Sequence, residues 1–376
     1  MRLAFVLFKY FPYGGLQKLF LQSLLTCTSR GHDISVYTIE WQGETPANLN
    51  INIVPVKSKR NHQRYREFHR KLKTILKAEQ FHAVVGFNKM PDLDVYFAAD
   101  PCYLEKSKRL RGRYYCWTAR FRHFADFERA VFQTESNCEL LMMSEIEMNH
   151  FRHHYSTPKE RFHILPPGIS RHCMRPNDAQ QVRQHLRKEL GVSDSCKLLL
   201  GIGSDFHRKG IDRSIRALAA LPAEQKTRTK LLVVGQDNPA KYSRLARRYG
   251  VQQQVEFLSG RSDIPRFLFG SDLLLHPARS EAAGMVILEA IVAGLPVLVT
   301  DVCGYASHVI RANAGRLIPA PFSHRQFSES LSDTLISPLL CAWQQNGVIY
   351  GRDEDLYSMH KVVCDVIEQK VRGLLN

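Results

Sequence analysis

Four short apolar runs in the second half of the chain restrict its fold more than any other feature: KLLLG at 197–201, LLVVG at 231–235, DLLLH at 272–276 and PVLVT at 296–300. Their apolar residues are consecutive instead of alternating, so each run must be buried on both faces, as in a parallel sheet covered by helices. Segments 211–220, 239–249 and 284–293 supply the covers, having helical composition and a length suited to right-handed crossovers. The first half repeats the theme, with expected strands at 3–8, 34–39, 51–54, 83–87, 95–99 and 140–143. The fold class is α/β.

A chain of 376 residues is long enough for two cores. LPPGI at 165–169 ends a strand and stiffens a turn, which sets the expected domains at 1–168 and 169–376. The helical pattern of 353–375 does not fix which domain it packs on. No repeat or low-complexity tract is visible. MRLAFVLFKY reaches a lysine after six apolar residues and lacks a small-residue cleavage site, so it reads as a first strand and not a secretion signal. The apolar stretch 283–300 is interrupted by Glu289, Gly294 and Pro296, which argues against a membrane span. Nine cysteines without a C-x-x-C pair are expected to be reduced thiols in a cytoplasmic protein.

Charge narrows the partners. With 52 Lys+Arg against 36 Asp+Glu the chain carries +16, and both halves are basic, which implies a polyanionic partner: nucleic acid, nucleotide phosphates, phosphorylated sugars or an anionic membrane face. Within 103–132, Leu110, Tyr114, Trp117, Phe121 and Phe124 recur at helical steps, and Arg109, Arg111, Arg113, Arg120, Arg122 and Arg129 surround them. Eight basic residues stand against three acids there, and at about 1 kcal/mol per basic residue the attraction to an anionic leaflet is at most about 5 kcal/mol. The alternative is an aromatic core stripe with a solvated arginine face. Segment 57–77 holds nine Lys/Arg against Glu67 alone, which suits lipid headgroups, a phosphorylated acceptor or a plain surface helix.

Ligands of open parallel sheets lie beyond the carboxyl ends of the strands, so the segments following each strand are where site residues are expected. After the first comes Phe11-Pro12-Tyr13-Gly14-Gly15, where a glycine pair opening a helix lets a phosphate approach backbone N–H groups. Beyond 197–201, Arg208 and Lys209 stand at a helix mouth, able to neutralise a diphosphate without a metal. Ser259-Gly260-Arg261 follows another strand, 255–258. The most specific signal is the pair Glu281 and Glu289 around 282–288: dipole compensation accounts for Glu281, but a carboxylate inside MVILEAIVAG needs a partner, and ribose hydroxyls would serve. Asp92-x-Asp94 is discounted as a metal motif because it precedes a strand. His150, His153 and His154 are read as solvated, without an acidic or thiol partner in view.

With E-x7-E, Arg208-Lys209-Gly210 and Gly14-Gly15 in place, the chain resembles the retaining nucleotide-sugar glycosyltransferases of the GT-B fold over essentially its whole length. The particular resemblance is to the lipopolysaccharide core glucosyltransferases of Gram-negative bacteria, through KYFP at 9–12, GFNKMP at 86–91, DVYFAAD at 94–100, LPPGI at 165–169 and 278–284. It implies two Rossmann-like domains facing each other across a cleft, UDP-glucose as donor and no metal or other cofactor. By the same resemblance Glu289 holds the ribose, Arg208 and Lys209 the diphosphate, and Glu281 with the backbone of Ala282, Ala283, Gly284 and Met285 the transferred sugar. Val286 and Arg261 complete the donor side, Gly14 and Gly15 take the phosphate from the first domain, and Asp100 is the acceptor-side or catalytic carboxylate. Leu19 departs from the pattern where a carboxylate would help hold the sugar. The implied acceptor is an inner-core heptose of lipopolysaccharide, reached from the inner face of the inner membrane through Arg109, Arg111, Arg113, Trp117 and Arg120. Two readings stay open beside this one: a related enzyme with another nucleotide sugar, and a basic nucleic-acid or membrane adaptor. The adaptor leaves E-x7-E unexplained and shows no nucleic-acid module.

Overall fold

A computed structural model describes the chain apart from Tyr13, Ala47, Asn48, Arg111, Gly112 and Asn376. It divides into two compact units, Met1–Gly168 with Ser358–Asn376, and Ile169–Tyr357.

The first unit contains, in chain order, β1 (Arg2–Val6), β2 (Lys9–Tyr10), β3 (Asp33–Thr38), β4 (Glu40–Trp41), β5 (Asn50–Ile53), β6 (Ala83–Gly86), β7 (Val95–Ala98), β8 (Glu139–Met142) and β9 (Phe162–Ile164). Seven of them form a parallel sheet in the order β5–β3–β1–β6–β7–β8–β9, and β2 pairs with β4 alone. Val95 to Ala98 are all buried, as a strand covered on both faces requires. The short β9 is the strand that LPPGI was expected to end, whereas the β2–β4 pair was not among the expected strands, being too short to show a pattern.

The helix Met359–Leu375 belongs to this unit, and named contacts explain why. Arg30 bonds Asp365 at 2.7 Å and Glu368 at 3.2 Å, His360 meets Ser23 at 2.9 Å, and Lys370 reaches Glu139 at 3.2 Å. Cys27 and Cys364, both fully buried, are joined in a disulfide with Cα atoms 5.8 Å apart, which corrects the expectation of reduced thiols throughout. Their separation of 337 positions explains the miss, since spacing exposes only local pairs. The expected single helix over 353–375 is also corrected: Leu340–Asp353 ends, five residues intervene, and Met359–Leu375 begins.

In the second unit β10 (Lys197–Ile202), β11 (Thr229–Val234), β12 (Val255–Leu258), β13 (Leu273–His276), β14 (Val297–Thr300) and β15 (Gly315–Ile318) form one parallel sheet in the order β12–β11–β10–β13–β14–β15. Counted from β10 this is the 3-2-1-4-5-6 order of a Rossmann sheet, and the first unit follows the same order with one strand added. The order reverses between β10 and β13, and between β1 and β6. At such a point neighbouring crossovers leave in opposite directions and a crevice opens beyond the strand ends.

Candidate active site

Two loops meet beyond β10 and β13. Following β10, Gly203 turns the chain at φ +144, and the single helical turn Phe206–Lys209 begins on Asp205, whose carboxylate accepts from the Arg208 amide at 3.0 Å and from its Nε at 3.3 Å. Gly210, at φ +75, then starts the helix Ile211–Ala219. A Cβ there would lie 2.0 Å from the Pro277 carbonyl oxygen, so glycine is required both by its dihedral and by the approach of the second loop. Arg279 fastens the loops together: its amide donates to Arg208 O at 2.8 Å, and its guanidinium grips Asp212 at 2.7 and 2.8 Å.

The result is a half-buried charge cluster. Arg208 Nη1 donates to Glu281 Oε2 at 2.6 Å, and Lys209 Nζ donates to the same oxygen. The Glu281 side chain is only 12% exposed. Burial pushes its carboxyl up, but Lys209 and Arg208 outweigh that and hold it at about 2, so Glu281 is an anion at any working pH. His276, at the end of β13, is buried with Nε2 3.9 Å from Glu281, and that nitrogen has no hydrogen-bond partner among the described residues; burial pushes its imidazole down to about 3 and keeps it neutral.

Beyond Glu281 the backbone is pinned by Gly304 N donating to Glu281 O at 3.1 Å and Tyr305 N donating to Ala283 O at 2.8 Å. Ala282 and Ala283 are buried, and Gly284, at φ +92, opens the helix Met285–Val292, which carries no capping side chain and no acid in its first turn. Its backbone N–H groups therefore present uncompensated positive dipole ends. Val286, Ile287, Leu288, Ala290, Ile291 and Val292 pack inward, while Met285 and Glu289 are partly exposed. Four residues apart, these two share a face, so Glu289 leaves the core along the stripe that starts near Glu281. Arg261 is engaged by Asp263 at 2.7 and 2.9 Å and lies over Phe267.

The remaining expected site residues lie in the first unit. Gly15 is the exposed first residue of the helix Gly15–Ser29, whose first turn has no side-chain cap and no acid, and a Cβ at Gly15 would meet nothing within 4 Å. Gly14 is buried, and a Cβ there would collide with Gln17 and Phe11. Tyr13 lies outside the described residues. Leu19 is 7% exposed and part of the core, which accounts for an apolar residue there. Asp100 is exposed just beyond β7. Asp92 pairs with His69 at 2.8 Å and Lys73 at 3.0 Å, while Asp94 accepts from the Val84 amide at 2.7 Å; both carboxylates serve the fold. The reading of His150 and His154 as lacking acidic partners is corrected, since they meet Glu147 at 3.6 Å and Glu105 at 3.0 Å.

The 103–132 segment is three elements, Tyr103–Leu110, the 3-10 turn Arg113–Trp117 and Ala119–Phe132, and not the continuous helix its aromatic spacing predicts. Thr118 starts the last of them by accepting from the Phe121 amide, which separates the turn from the helix. Tyr114 and Trp117 are 82% and 78% exposed, so the core reading fails for them. Phe121 and Phe124 are partly buried, and Arg120 is exposed, lying over Phe124. Arg111 lies outside the described residues, and of Arg109 and Arg113 only the backbone is described.

Reasoning from sequence missed His276, Asp205 and Arg279. Their signal was position: each stands at the carboxyl end of a strand or in the loop that follows.

Known proteins agree with this architecture. The profile of the family Glycosyl transferases group 1 matches residues 182–347. The lipopolysaccharide glucosyltransferase WaaG of Escherichia coli strain K12 is 47% identical over 374 residues, covering 99% of this chain and all of that one. The crystal structure of WaaG, a glycosyltransferase involved in lipopolysaccharide biosynthesis, superposes with a TM-score of 0.94 over 97% of this chain and 99% of that one. A sucrose-phosphate synthase from Thermosynechococcus elongatus, 16% identical, shares the fold at a TM-score of 0.79 over 100% of this chain and 99% of its own. Identity at that level across the full length of both chains, on two Rossmann-like sheets of the GT-B type, makes this chain a member of the group 1 glycosyltransferase family.

Proposed function

We propose that the protein transfers glucose from UDP-glucose to an inner-core heptose of lipopolysaccharide with retention of anomeric configuration and without a metal. The observation that carries this reading is the convergence of Arg208 and Lys209 on Glu281 at the switch point of the second sheet. Two preorganised cations suit a departing diphosphate, whose charge grows as the C1–O bond to the sugar breaks. Glu281 is the anion that both cations hold in this structure. When a diphosphate takes over the cations, Glu281 is left to accept hydrogen bonds from sugar hydroxyls, helped by the N–H groups opening Met285–Val292. Held near 2, its carboxyl has no proton to give as a general acid. The acceptor oxygen then bonds to C1 while its proton passes to the leaving phosphate oxygen. Glu289 takes the ribose, Arg261 and Val286 border the donor, Gly15 offers backbone N–H to phosphate, and Asp100 faces the acceptor.

No described helix is long and apolar enough to cross a membrane. Exposed Tyr114 and Trp117 beside Arg120 support reversible docking on an anionic leaflet. Donor choice follows the glucosyltransferase WaaG. Calorimetric titration in EDTA with UDP, UDP-glucose and other nucleotide sugars tests the proposal: saturation by UDP with preference for UDP-glucose is expected. Absence of nucleotide binding overturns it in favour of the adaptor reading.

A further inference from the structure

Glu128, on the helix Ala119–Phe132, is a fully buried carboxylate surrounded by donors. Lys89 Nζ donates to Oε2 at 2.5 Å and Tyr155 Oη to Oε1 at 2.8 Å. The other donors come from three consecutive residues: Tyr103 N at 2.7 Å, Leu104 N at 3.2 Å and Cys102 Sγ at 3.6 Å. Lys89 also donates to Pro101 O at 2.8 Å, and the Cys102 amide donates to Glu147 at 2.9 Å. Every residue from 101 to 104 is thus tied to a side chain fixed elsewhere in the first unit. Upstream, Val95 to Ala98 are held in register by β8. Between these two anchored stretches stands Asp100, with its side chain exposed.

A buried carboxylate is costly unless its lone pairs are filled, and Lys89 alone would neutralise the charge. Filling the remaining positions from the backbone of one loop does something more: it caps the first turn of Tyr103–Leu110 and fixes the residues that follow Asp100. We infer that Glu128, locked by Lys89 and Tyr155, is a positioning residue that holds the Asp100 carboxylate in place for transfer. This rests on the reading of Asp100 as the acceptor-side carboxylate.

In Glu128→Gln one oxygen becomes an NH2 group facing N–H or ammonium donors, and the loop must shift. A displacement of about 1 Å at a reacting group lowers turnover roughly 100-fold, so kcat is expected to fall about 30- to 100-fold while the affinity for UDP stays within twofold of wild type. The deciding measurement is kcat in four proteins: wild type, Glu128→Gln, Asp100→Asn and the double variant. If Glu128 acts through Asp100, the double variant is no slower than Asp100→Asn by more than about twofold. A double variant in which the two losses multiply overturns the inference, because Glu128 then acts independently of Asp100. A wild-type kcat in Asp100→Asn removes the role of Asp100 itself, and with it this inference. Where Glu128→Gln yields too little folded protein, Tyr155→Phe takes its place, removing one donor without unpairing the charge. About threefold lower kcat is then expected, and a loss undiminished by Asp100→Asn overturns the inference.

Discussion

The carboxyl ends of β10 and β13 gather charged side chains onto one carboxylate, whereas those of β1 and β6, at the same place in an equivalent strand order, carry glycines, the side-chain amides of Gln17 and Asn88, and two lysines each paired with a carboxylate elsewhere. Beyond the first pair, Arg208, Lys209 and Glu281 lie within hydrogen-bond reach, with buried His276 beneath them. Beyond the second, Asn88 Oδ1 accepts from the Phe8 amide at 2.7 Å, and Gly14 and Gly15 open an uncapped helix. Of the lysines there, Lys9 is committed to Glu40 and Lys89 to Glu128. Under the proposed function, one topology serves anions in two ways: the first loop pair with fixed countercharges that can follow charge developing in a reaction, the second with backbone dipoles.

Substitutions can break or sharpen this contrast. The largest effect is expected for Lys209→Ala, which removes one of two fixed cations: kcat should fall about 100- to 1000-fold in a transfer assay. An effect below about tenfold would mean that the charged site does not bear the leaving group.

Next is a comparison of glycines. Gly210→Ala should destabilise the fold by about 2–3 kcal/mol, because its Cβ meets the Pro277 carbonyl at a positive φ. Gly15→Ala, where a Cβ meets nothing, should leave the melting temperature unchanged or slightly raised while lowering turnover. Unaltered turnover in Gly15→Ala would remove the anion role of the first-unit loop.

Glu281→Gln sharpens the contrast further. UDP alone should bind about two- to fivefold more tightly, because Arg208 and Lys209 are no longer held by a full negative charge, while transfer from UDP-glucose declines; weaker UDP binding would contradict the exchange of cations between Glu281 and the diphosphate. The same variant has a pH signature. Glu281 titrates at about 2 when folded against an ordinary 4.5, so its stabilisation is present above about pH 4.5 and is lost as pH falls toward 2. Between pH 6 and 3 the wild type should lose about 2 kcal/mol more stability than Glu281→Gln, measured by urea unfolding.

The smallest catalytic effect is expected for Trp117→Ala with Arg120→Gln. Binding to anionic vesicles should weaken about three- to tenfold with UDP affinity untouched, and equal vesicle binding would assign the exposed aromatics to another surface.

Much of the second unit was legible in the chain because burial on both faces leaves a local record. Leu198, Leu199 and Leu200 announce β10, and Pro-Val-Leu-Val-Thr announces β14 within a residue of its start. The edge strand β15 (Gly-Arg-Leu-Ile) has a partly exposed, mixed pattern and was missed. In the first unit the aromatic stripe misled. Helical spacing is satisfied by any chain with residues three or four apart, and Thr118 breaks the run where a cap outcompetes continuation.

By itself the sequence determined the fold class and which residue types stand after each strand, since both depend on neighbours a few positions apart. Only the tertiary structure decided that Glu281 meets Arg208 and Lys209 from 73 and 72 positions away, that Cys27 joins Cys364, and that Glu128 accepts hydrogen bonds from residues 102, 103 and 104. Those pairings depend on which strands lie side by side and in what register, and that choice is made by the packing of whole layers and not by any local stretch of chain.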